Sequence, residues 1–229
     1  MRHVSLSRRA LLAAAAPALA CCVVWPLAGC DAGAPSDVAA DDAPSQDASA
    51  EATSEVDPDD PYATGIHHAT IEVEGYGTIE VSLNANVAPI TVSNFCHLAE
   101  EGFYDGLTFH RVVPGFMIQG GDPSGDGTGG SGQTITGEFS DNGVENDIPH
   151  VRGTISMARS SDYDSASSQF FIMQETTSSL DGQYAAFGTV TSGMEVVDAI
   201  CEQVTVADEA SGYVAPEDQP VITSVTIVD

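Results

Sequence analysis

The sequence predicts a mainly-β domain in which a β-barrel is closed by two helices. Three observations predict it. Apolar and polar residues alternate on both sides of Gly75-Tyr76-Gly77, many short apolar runs lie between Gly-rich loops as far as about Val190, and only two segments have helical periodicity. A chain of 229 residues is long enough for one such domain and a tail.

The first predicted elements of the domain are a β-hairpin and a helix. The stretch ATIEVEGYGTIEVSL, residues 69–83, alternates in the way typical of two half-buried strands joined by a tight turn. Pro89 can begin the helix that follows, and Gly102 can end it. The buried stripe of this helix is predicted to be Val92, Phe95, Cys96 and Ala99.

The last predicted elements are a second helix and a final strand. Helical spacing extends from Met194 to about Val204, and the strand is QPVITSVTIV, residues 219–228. Between the first helix and the second, short strands alternate with Gly-rich loops. One face of the second helix carries Met194, Val197, Ile200 and Cys201.

Residues 1–29 are predicted to be an export signal. Arginines lie close to the start, before an apolar run from Ala10 to Gly29, and the Ser-Arg-Arg opening is similar to a twin-arginine signal. The sequence Leu27-Ala28-Gly29-Cys30 resembles the bacterial lipobox, which implies cleavage before Cys30 and a lipid on that residue. The alternative is an uncleaved membrane anchor, because about 20 apolar residues can span a bilayer. Both interpretations place the rest of the chain outside the cytoplasm, lipid-anchored to the bacterial cell membrane in the first case.

Residues 30–64 are predicted to be an acidic, disordered tether, and residues 65–229 the folded domain. From Asp31 to Tyr62 the chain carries ten acidic residues, no basic ones and almost no large apolar groups. Such a segment buries too little apolar surface to offset the entropy lost on folding. We therefore expect a spacer that holds the domain away from a membrane.

The charge of the chain excludes some classes of partner. A formal net charge of −28 argues against a nucleic-acid binder and against a polybasic membrane-surface protein, since both need clustered Lys and Arg. Beyond Cys30 the only basic side chains besides histidine are Arg111, Arg152 and Arg159. No metal-ligand spacing such as C-x2-C or H-E-x-x-H occurs, so neither a metal nor another cofactor is expected.

Two cysteines, Cys96 and Cys201, fall within the predicted helices. Both have the spacing of small core hydrophobes. A disulfide between them is the alternative, because an oxidising compartment permits one.

One arginine lies in an unusual place. The stretch FHRVVPGFMIQGGD, residues 109–122, sets Arg111 inside an apolar run that ends in a Gly-rich loop. Desolvating a guanidinium among apolar side chains is costly, so Arg111 should have either an ion-pair partner or a function. The Gly-rich loop itself, residues 120–132, lacks the Gly-Lys-Ser/Thr of a phosphate-binding loop and the spacing of an EF-hand, and we expect a flexible surface loop.

Three blocks of the sequence resemble the cyclophilins, which are barrel-shaped peptidyl-prolyl cis/trans isomerases. The blocks are residues 103–130, 152–172 and 180–198, they occur in the family's order, and the second is similar to the bacterial branch. The resemblance extends from about Ala69 to the C-terminus. It implies a closed eight-stranded antiparallel barrel capped by two α-helices.

The resemblance also implies the site residues. By motif position Arg111 is the catalytic arginine. Ser179 departs from the pattern, because many members have a Trp there that forms one wall of the pocket, and this puts cyclosporin sensitivity in doubt. The resemblance also implies ten substrate-binding residues: His110, Phe116, Met117, Gln119, Ala158, Arg159, Gln169, Phe171, Leu180 and Tyr184. Among these, His110 is expected to have a structural or substrate-orienting role.

The chemistry of prolyl isomerisation suits these residue types. Rotation about a peptide bond has a barrier of about 18–20 kcal/mol, because the nitrogen lone pair is delocalised into the carbonyl. No covalent bond breaks, so the reaction needs no nucleophile, metal or redox cofactor. An apolar pocket can hold the proline ring, and the Arg111 guanidinium can donate to the nitrogen when it regains its lone pair in the twisted form.

The sequence thus predicts a peptidyl-prolyl cis/trans isomerase that acts, as a monomer without cofactors, on proline-containing segments of unfolded or partly folded exported proteins. The alternative is a membrane-tethered binding module that holds proline-containing segments without turnover. Among the other arginines, Arg152 is predicted to be structural. Arg159 is hypothesised to favour acidic residues near the substrate proline.

Overall fold

The computed structural model describes residues 51–229, which contain ten β-strands, two α-helices and three short 3₁₀ segments. The predicted export signal, the lipidation site at Cys30 and the first part of the predicted tether lie outside the described residues. The α-helices are α1 (Pro89–Glu100) and α2 (Met194–Gln203). The strands are β1 (Ile66–Val73), β2 (Gly77–Asn84), β3 (Arg111–Val113), β4 (Met117–Gly120), β5 (Thr154–Met157), β6 (Phe170–Met173), β7 (Ala186–Ser192), β8 (Val206–Asp208), β9 (Tyr213–Val214) and β10 (Ile222–Ile227).

All of these strands belong to one sheet, in the order β10-β1-β2-β7-β5-β6-β4-β3-β9-β8, and neighbouring strands are antiparallel. The prediction of a closed eight-stranded barrel is therefore wrong in strand number, and no ladder joins the end strands β10 and β8. The segment before β3 instead hydrogen bonds near the start of β10, through Gly106 N–H to the Ile222 carbonyl at 2.8 Å and Phe109 N–H to the Pro220 carbonyl at 2.9 Å. The number of eight strands came from the family resemblance, and this chain adds short strands to the sheet, among them the three-residue β8 and the two-residue β9.

The sequence-predicted hairpin and helices are present. The turn between β1 and β2 contains Gly75 with φ of 74°, a left-handed conformation that glycine adopts without strain. Each helix ends within a few residues of its predicted bounds. The predicted stripes are buried, apart from the half-buried Met194. Cys96 and Cys201 are buried free thiols in this core, so the disulfide alternative does not hold, and burial raises the pKa of each to about 12.

Aromatic rings form the centre of the hydrophobic core. Phe95 on α1 lies 5.6 Å from Phe170 on β6 and 5.4 Å from Phe187 on β7, measured between ring centroids. Phe109, immediately before β3, lies 6.1 Å from Phe170. These edge and tilted contacts tie α1 to the strands that carry the cavity described below.

A buried carboxylate connects α1 to the loop before the first 3₁₀ segment. Glu138 accepts hydrogen bonds from Ile90 N–H at 3.0 Å, from Thr91 N–H at 2.8 Å and from the Thr91 hydroxyl at 2.6 Å. These are donors that the first turn of a helix leaves without intrahelical partners. Burial raises the pKa of Glu138, and the hydrogen bonds from Thr91 and Ile90 oppose that rise.

The chain from residue 51 to residue 64 packs on the domain, which corrects the predicted tether boundary at 64. Thr53 N–H donates to the Thr134 carbonyl and Thr136 N–H to the Thr53 carbonyl, both at 2.9 Å. Tyr62 is buried and its hydroxyl donates to Glu100 at 2.7 Å, while Asp60 accepts from the Ser93 hydroxyl at 2.5 Å. The acidic residues of this segment predicted that water would surround it, but Ser93 on α1 donates a hydrogen bond to one of them, Asp60.

None of the helices in the described part is long and apolar enough to cross a membrane.

Candidate active site

A cavity of about 660 Å³ opens where β3, β4, β6 and the β8–β9 hairpin meet. Every predicted site residue except Gln169 lines it. Because these residues come from four separate stretches of the chain, the fold itself brings them together. Those stretches supply His110, Arg111, Phe116, Met117 and Gln119; Ala158 and Arg159; Phe171; and Leu180 and Tyr184.

The floor of the cavity is apolar, and its two buried side chains lie on paired strands. Met117 and Phe171, on the paired strands β4 and β6, are buried in a small cluster with Met173 that is separate from the main core. Phe116 and Leu180 are half-buried and pack against this cluster. The floor therefore offers an apolar surface of the kind that a pyrrolidine ring can contact.

Arg111, the first residue of β3, is half-buried and directed into the cavity. Its Nε–H donates to the Ser211 carbonyl oxygen at 2.6 Å, and its Nη1 donates to Gln119 Oε1 at 3.1 Å. Within residues 51–229 no carboxylate forms an ion pair with it, so the structure does not support the ion-pair alternative. Burial lowers the pKa of Arg111, but a guanidinium stays protonated at neutral pH.

The two glutamines link Arg111 to the Gly-rich loop. Gln119 Nε2 donates to Gln169 Oε1 at 2.9 Å, and Gln169 Nε2 donates to the carbonyls of Gly127 at 3.1 Å and Gly129 at 2.8 Å. Gln169 is half-buried and lines a smaller adjoining cavity of about 200 Å³ that shares Gln119 and Gly127 with the first. Both glutamines lie near the cavity, and their amides contact each other, Arg111 and the loop; their contact with a substrate stays a prediction.

The Gly-rich loop lies at the surface, as predicted, and the buried carboxylate of Asp122 hydrogen bonds to its backbone. Asp122 accepts from Ser124 N–H at 2.8 Å, Asp126 N–H at 3.1 Å and Gly127 N–H at 2.6 Å. Its oxygens are therefore used by the loop's own backbone. In the described part of the chain, no group of three or more His, Cys, Asp or Glu side chains is placed to hold a metal ion.

Tyr184 forms the side wall of the cavity, backed by Arg159. The Tyr184 ring meets Phe171 edge to face at 5.8 Å, and the Arg159 guanidinium carbon lies 4.7 Å from the Tyr184 centroid. Arg159 also lies over Tyr163 at 4.9 Å. Ser179, the position that departs from the resemblance, is exposed on a 3₁₀ segment and does not line the cavity, whereas Tyr184 does.

His110 precedes Arg111 and is only 2% exposed. Neither ring nitrogen has a hydrogen-bond partner among the described residues. Burial lowers the pKa of His110, and Asp122 partly opposes that change. A neutral imidazole at this position can contact a substrate but carries no charge at neutral pH.

Arg152 lies outside the cavity, on the surface beside α2. Its guanidinium donates to both carboxylate oxygens of Asp198, at 2.9 Å and 2.6 Å, and to the Gln174 carbonyl at 2.8 Å. This bidentate ion pair agrees with the structural role that the sequence predicted.

Sequence reasoning missed one side of the cavity. Part of that side comes from the Gly-rich loop and part from the hairpin formed by β8 and β9, which contains no motif that signals a site. The only local signal there is the Ser211-Gly212 pair, which is typical of a turn and not of a site. The missed residues are Asp126, Gly127, Asp208, Ser211 and Tyr213.

The fold and the cavity together define a class: a mainly-β protein with an apolar-floored cavity beside an arginine that is held by neutral oxygens. Sequence comparison identifies the family. A profile described as "Cyclophilin type peptidyl-prolyl cis-trans isomerase/CLD" matches residues 68–227. The chain belongs to this family, and it is a peptidyl-prolyl cis-trans isomerase.

Relatives and solved structures agree with this assignment. A peptidyl-prolyl cis-trans isomerase of Synechococcus elongatus is 51% identical over 120 residues, covering 52% of this chain and 77% of the relative. Peptidyl-prolyl cis-trans isomerase B of Bacillus subtilis is 50% identical over 125 residues, covering 54% and 82%. The crystal structure of a Cryptosporidium parvum cyclophilin matches with a TM-score of 0.62 and 28% identity, covering 72% of this chain and 99% of that one. A second structure, in the presence of the dipeptide Ala-Pro, matches with a TM-score of 0.61 and 29% identity, covering 71% and 99%.

Proposed function

We propose that Arg111 is the catalytic residue and that the substrate proline ring occupies the floor formed by Phe116, Met117 and Phe171. The observation that carries this proposal is the position of the guanidinium. It lies beside the apolar floor, its only protein partners among the described residues are neutral oxygens, and its Nη2 donates to none of them. A charged donor without a carboxylate partner is available to the substrate.

The proposed mechanism is non-covalent. In a planar X-Pro bond the nitrogen lone pair is delocalised, and it becomes localised when the bond is twisted. A donor aimed at that nitrogen therefore stabilises the twisted state more than either planar state, which is the condition for lowering the barrier. The apolar floor holds the ring while the acyl side rotates, and the half-buried Arg111 donates to the nitrogen from beside that floor.

The test is an isomerisation assay on a proline-containing tetrapeptide. It uses the chain from Glu51 to Asp229, which keeps the packed segment 51–64 and has its own core. The cis-to-trans rate should be fast in this chain and in Arg152→Ala, and largely lost in Arg111→Ala. Full activity of Arg111→Ala would refute the proposed role. The unmodified chain could instead bind the peptide without accelerating its isomerisation, which takes about 10–100 s uncatalysed. The binding module would then be the better description.

We also propose that the enzyme acts outside the cytoplasm on exported proteins whose folding waits for X-Pro isomerisation. The support is in the sequence: the arginine-containing apolar start, the Leu27-Ala28-Gly29-Cys30 sequence, and the acidic segment that follows. Since residues 51–64 pack on the domain, the proposed tether is the segment 30–50.

Mass spectrometry of the protein from cells tests this localisation. The expected mature protein begins at Cys30, carries a lipid there and fractionates with membranes, whereas Cys30→Ala should not be lipidated. A chain that keeps residues 1–29 would favour the uncleaved anchor. A cytoplasmic, unmodified chain would contradict both forms of the proposal.

The domain is further proposed to be a monomer. Large exposed apolar side chains of the described residues are Ile66, Val151, Tyr163 and Val228. A few such residues are normal for a monomeric surface, and the acid excess opposes self-association. Sedimentation equilibrium of the chain from Glu51 should give the monomer mass, and a dimer mass would contradict the proposal.

A further inference from the structure

Arg111 has two anchors, and they come from different parts of the fold. One is Gln119, eight residues away on the strand paired with β3. The other is the backbone carbonyl of Ser211, one hundred residues away in the turn between β8 and β9. We propose that the β8–β9 hairpin, residues 206–214, is a positioning element that sets the direction of the Arg111 guanidinium. This inference rests on the catalytic role proposed for Arg111.

Two hydrogen bonds are enough to orient a guanidinium. The group is planar, so fixing Nε on Ser211 and Nη1 on Gln119 fixes both the plane and its rotation about the side-chain axis. Nη2 then has one defined direction. If the Ser211 carbonyl moved away, Gln119 alone would allow the plane to rotate about a single contact, and the donor would spend less time aimed at the substrate nitrogen.

The hairpin can approach Arg111 closely because residue 212 is glycine. Val112 N–H donates to the Gly212 carbonyl at 2.8 Å, and Val214 N–H donates to the His110 carbonyl at 3.0 Å. Gly212 has φ of 79°, and a Cβ at this position would lie 2.4 Å from Val113 Cγ2 and 2.9 Å from the Val112 carbonyl oxygen. Any larger residue must push the turn away from β3, and the Ser211 carbonyl would move with it.

The side chain of Asp208 stabilises the turn between β8 and β9. Asp208 accepts from Ala210 N–H at 3.1 Å and from the Ser211 hydroxyl at 2.7 Å, and Gly212 N–H donates to the Asp208 carbonyl at 2.8 Å. The hydrogen bonds from Ser211 and Ala210 lower the pKa of Asp208, so the carboxylate is ionised at neutral pH. The side chain of neighbouring Glu209 makes no hydrogen bond with the described residues. It therefore provides a matched control with the same charge in the same turn.

The first readout is the Nε–H resonance of Arg111. The chain from Glu51 contains three arginines, so its Nε–H spectrum has three signals, which Arg→Lys variants assign. Gly212→Ala and Asp208→Ala should shift the Arg111 signal and speed its exchange with water. Gly75→Ala, which has a similar positive φ but no atom within 4 Å of the added Cβ, and Glu209→Ala should leave it unchanged.

The second readout is the split between kcat and KM for the same peptide. A misdirected donor should lower kcat by about 10-fold in Gly212→Ala and by about 3-fold in Asp208→Ala, with KM within about 2-fold, because a misplacement of about 1 Å can cost 100-fold in rate. Asp208→Ala keeps the test usable if Gly212→Ala does not fold, since Asp208 is exposed. The two controls should retain the full kcat.

The outcomes separate the two proposals. An unchanged Arg111 signal in both hairpin variants, with Arg111→Ala inactive, overturns the positioning role and leaves the catalytic role intact. If the Arg111 signal changes in the hairpin variants but kcat keeps its full value, the hairpin orients the guanidinium without affecting turnover. That result also overturns the positioning role. If Arg111→Ala is itself fully active, the catalytic role is the one that fails.

Discussion

The cavity around Arg111 and the surface around Arg152 hold the same side chain in opposite ways. Arg152 is exposed and paired through two hydrogen bonds with the carboxylate of Asp198. Arg111 is half-buried and held by a backbone carbonyl and an amide oxygen, both neutral. An ion pair neutralises a guanidinium and makes it structural, whereas neutral anchors fix its direction and leave its charge for a ligand.

The largest expected effect comes from a substitution that keeps the positive charge of Arg111 but removes its planar guanidinium group. Arg111→Lys should lower kcat/KM by about 100-fold, because an ammonium on a flexible stem cannot satisfy Ser211 and Gln119 while aiming at the substrate; removing one oriented donor typically costs 100- to 1000-fold. Arg152→Lys is the control and should stay within about 2-fold. Near-normal activity of Arg111→Lys would show that charge alone suffices and would remove the contrast.

Arg159 provides a third environment, in which the guanidinium lies over aromatic rings and donates to the carbonyls of Gln183 and Ser160, both at 2.9 Å. No carboxylate among the described residues neutralises it. Its charge at the cavity edge should favour acidic residues next to the proline. Arg159→Ala should lower kcat/KM about 3-fold for an Asp-Pro peptide and raise it by up to about 3-fold for a Lys-Pro peptide at low salt, since a partly exposed charge acts weakly on both and is screened. Equal losses for both peptides would assign Arg159 to supporting Tyr184 alone.

The ion pair of Arg152 should appear in stability rather than in activity. Arg152→Ala should lower the free energy of unfolding by about 0.5–1 kcal/mol at pH 7, the range of well-formed exposed pairs. Hydrogen bonding from Arg152 lowers the pKa of Asp198 below that of the unfolded chain. This contribution is therefore fully present above about pH 4 and is lost as the pH falls through the folded-state pKa.

Urea denaturation of the two proteins between pH 7 and pH 2.5 measures this difference, which should shrink with acid. The corresponding difference for Arg111→Ala should not change in this window, because its anchors are neutral. A constant difference for Arg152→Ala would mean that Asp198 is not its stabilising partner.

The smallest expected effect is the pH dependence of turnover. The proposed mechanism transfers no proton, and burial lowers the pKa of His110 below its usual value, so His110 stays neutral above about pH 6.5. We therefore expect kcat to vary by less than about 2-fold from pH 6.5 to pH 9. A bell-shaped profile in this range would indicate general acid–base catalysis and contradict the proposed role of Arg111.

Much of the site could be predicted because its side chains lie in short motifs that resemble those of a known family, although these motifs come from four stretches of the chain. Arg111, Phe116 and Met117 fall within seven residues, and the turn between β3 and β4 brings them to one cavity. The side formed by β8 and β9 could not be predicted, because its contribution to Arg111 is a backbone carbonyl, which every residue carries. Ser211 therefore has no side-chain signature of its role.

The segment 51–64 is a second case in which the sequence did not predict a contact between distant parts of the chain. Its acidic composition is typical of a solvated tether, but Asp60 and Tyr62 meet Ser93 and Glu100 on α1. Composition reports the average preference of a segment for water. It does not report whether a folded neighbour presents matching donors.

The sequence by itself determined the mainly-β class, both helices, the first hairpin and the family of the site residues. These depend on local periodicity and on side chains grouped in short motifs. Only the tertiary structure decided the ten-strand order in which the two end strands do not pair with each other, the packing of residues 51–64 and the second anchor of Arg111. These depend on which distant segments meet, and hydrogen bonds between backbone groups carry no residue identity that a sequence could display.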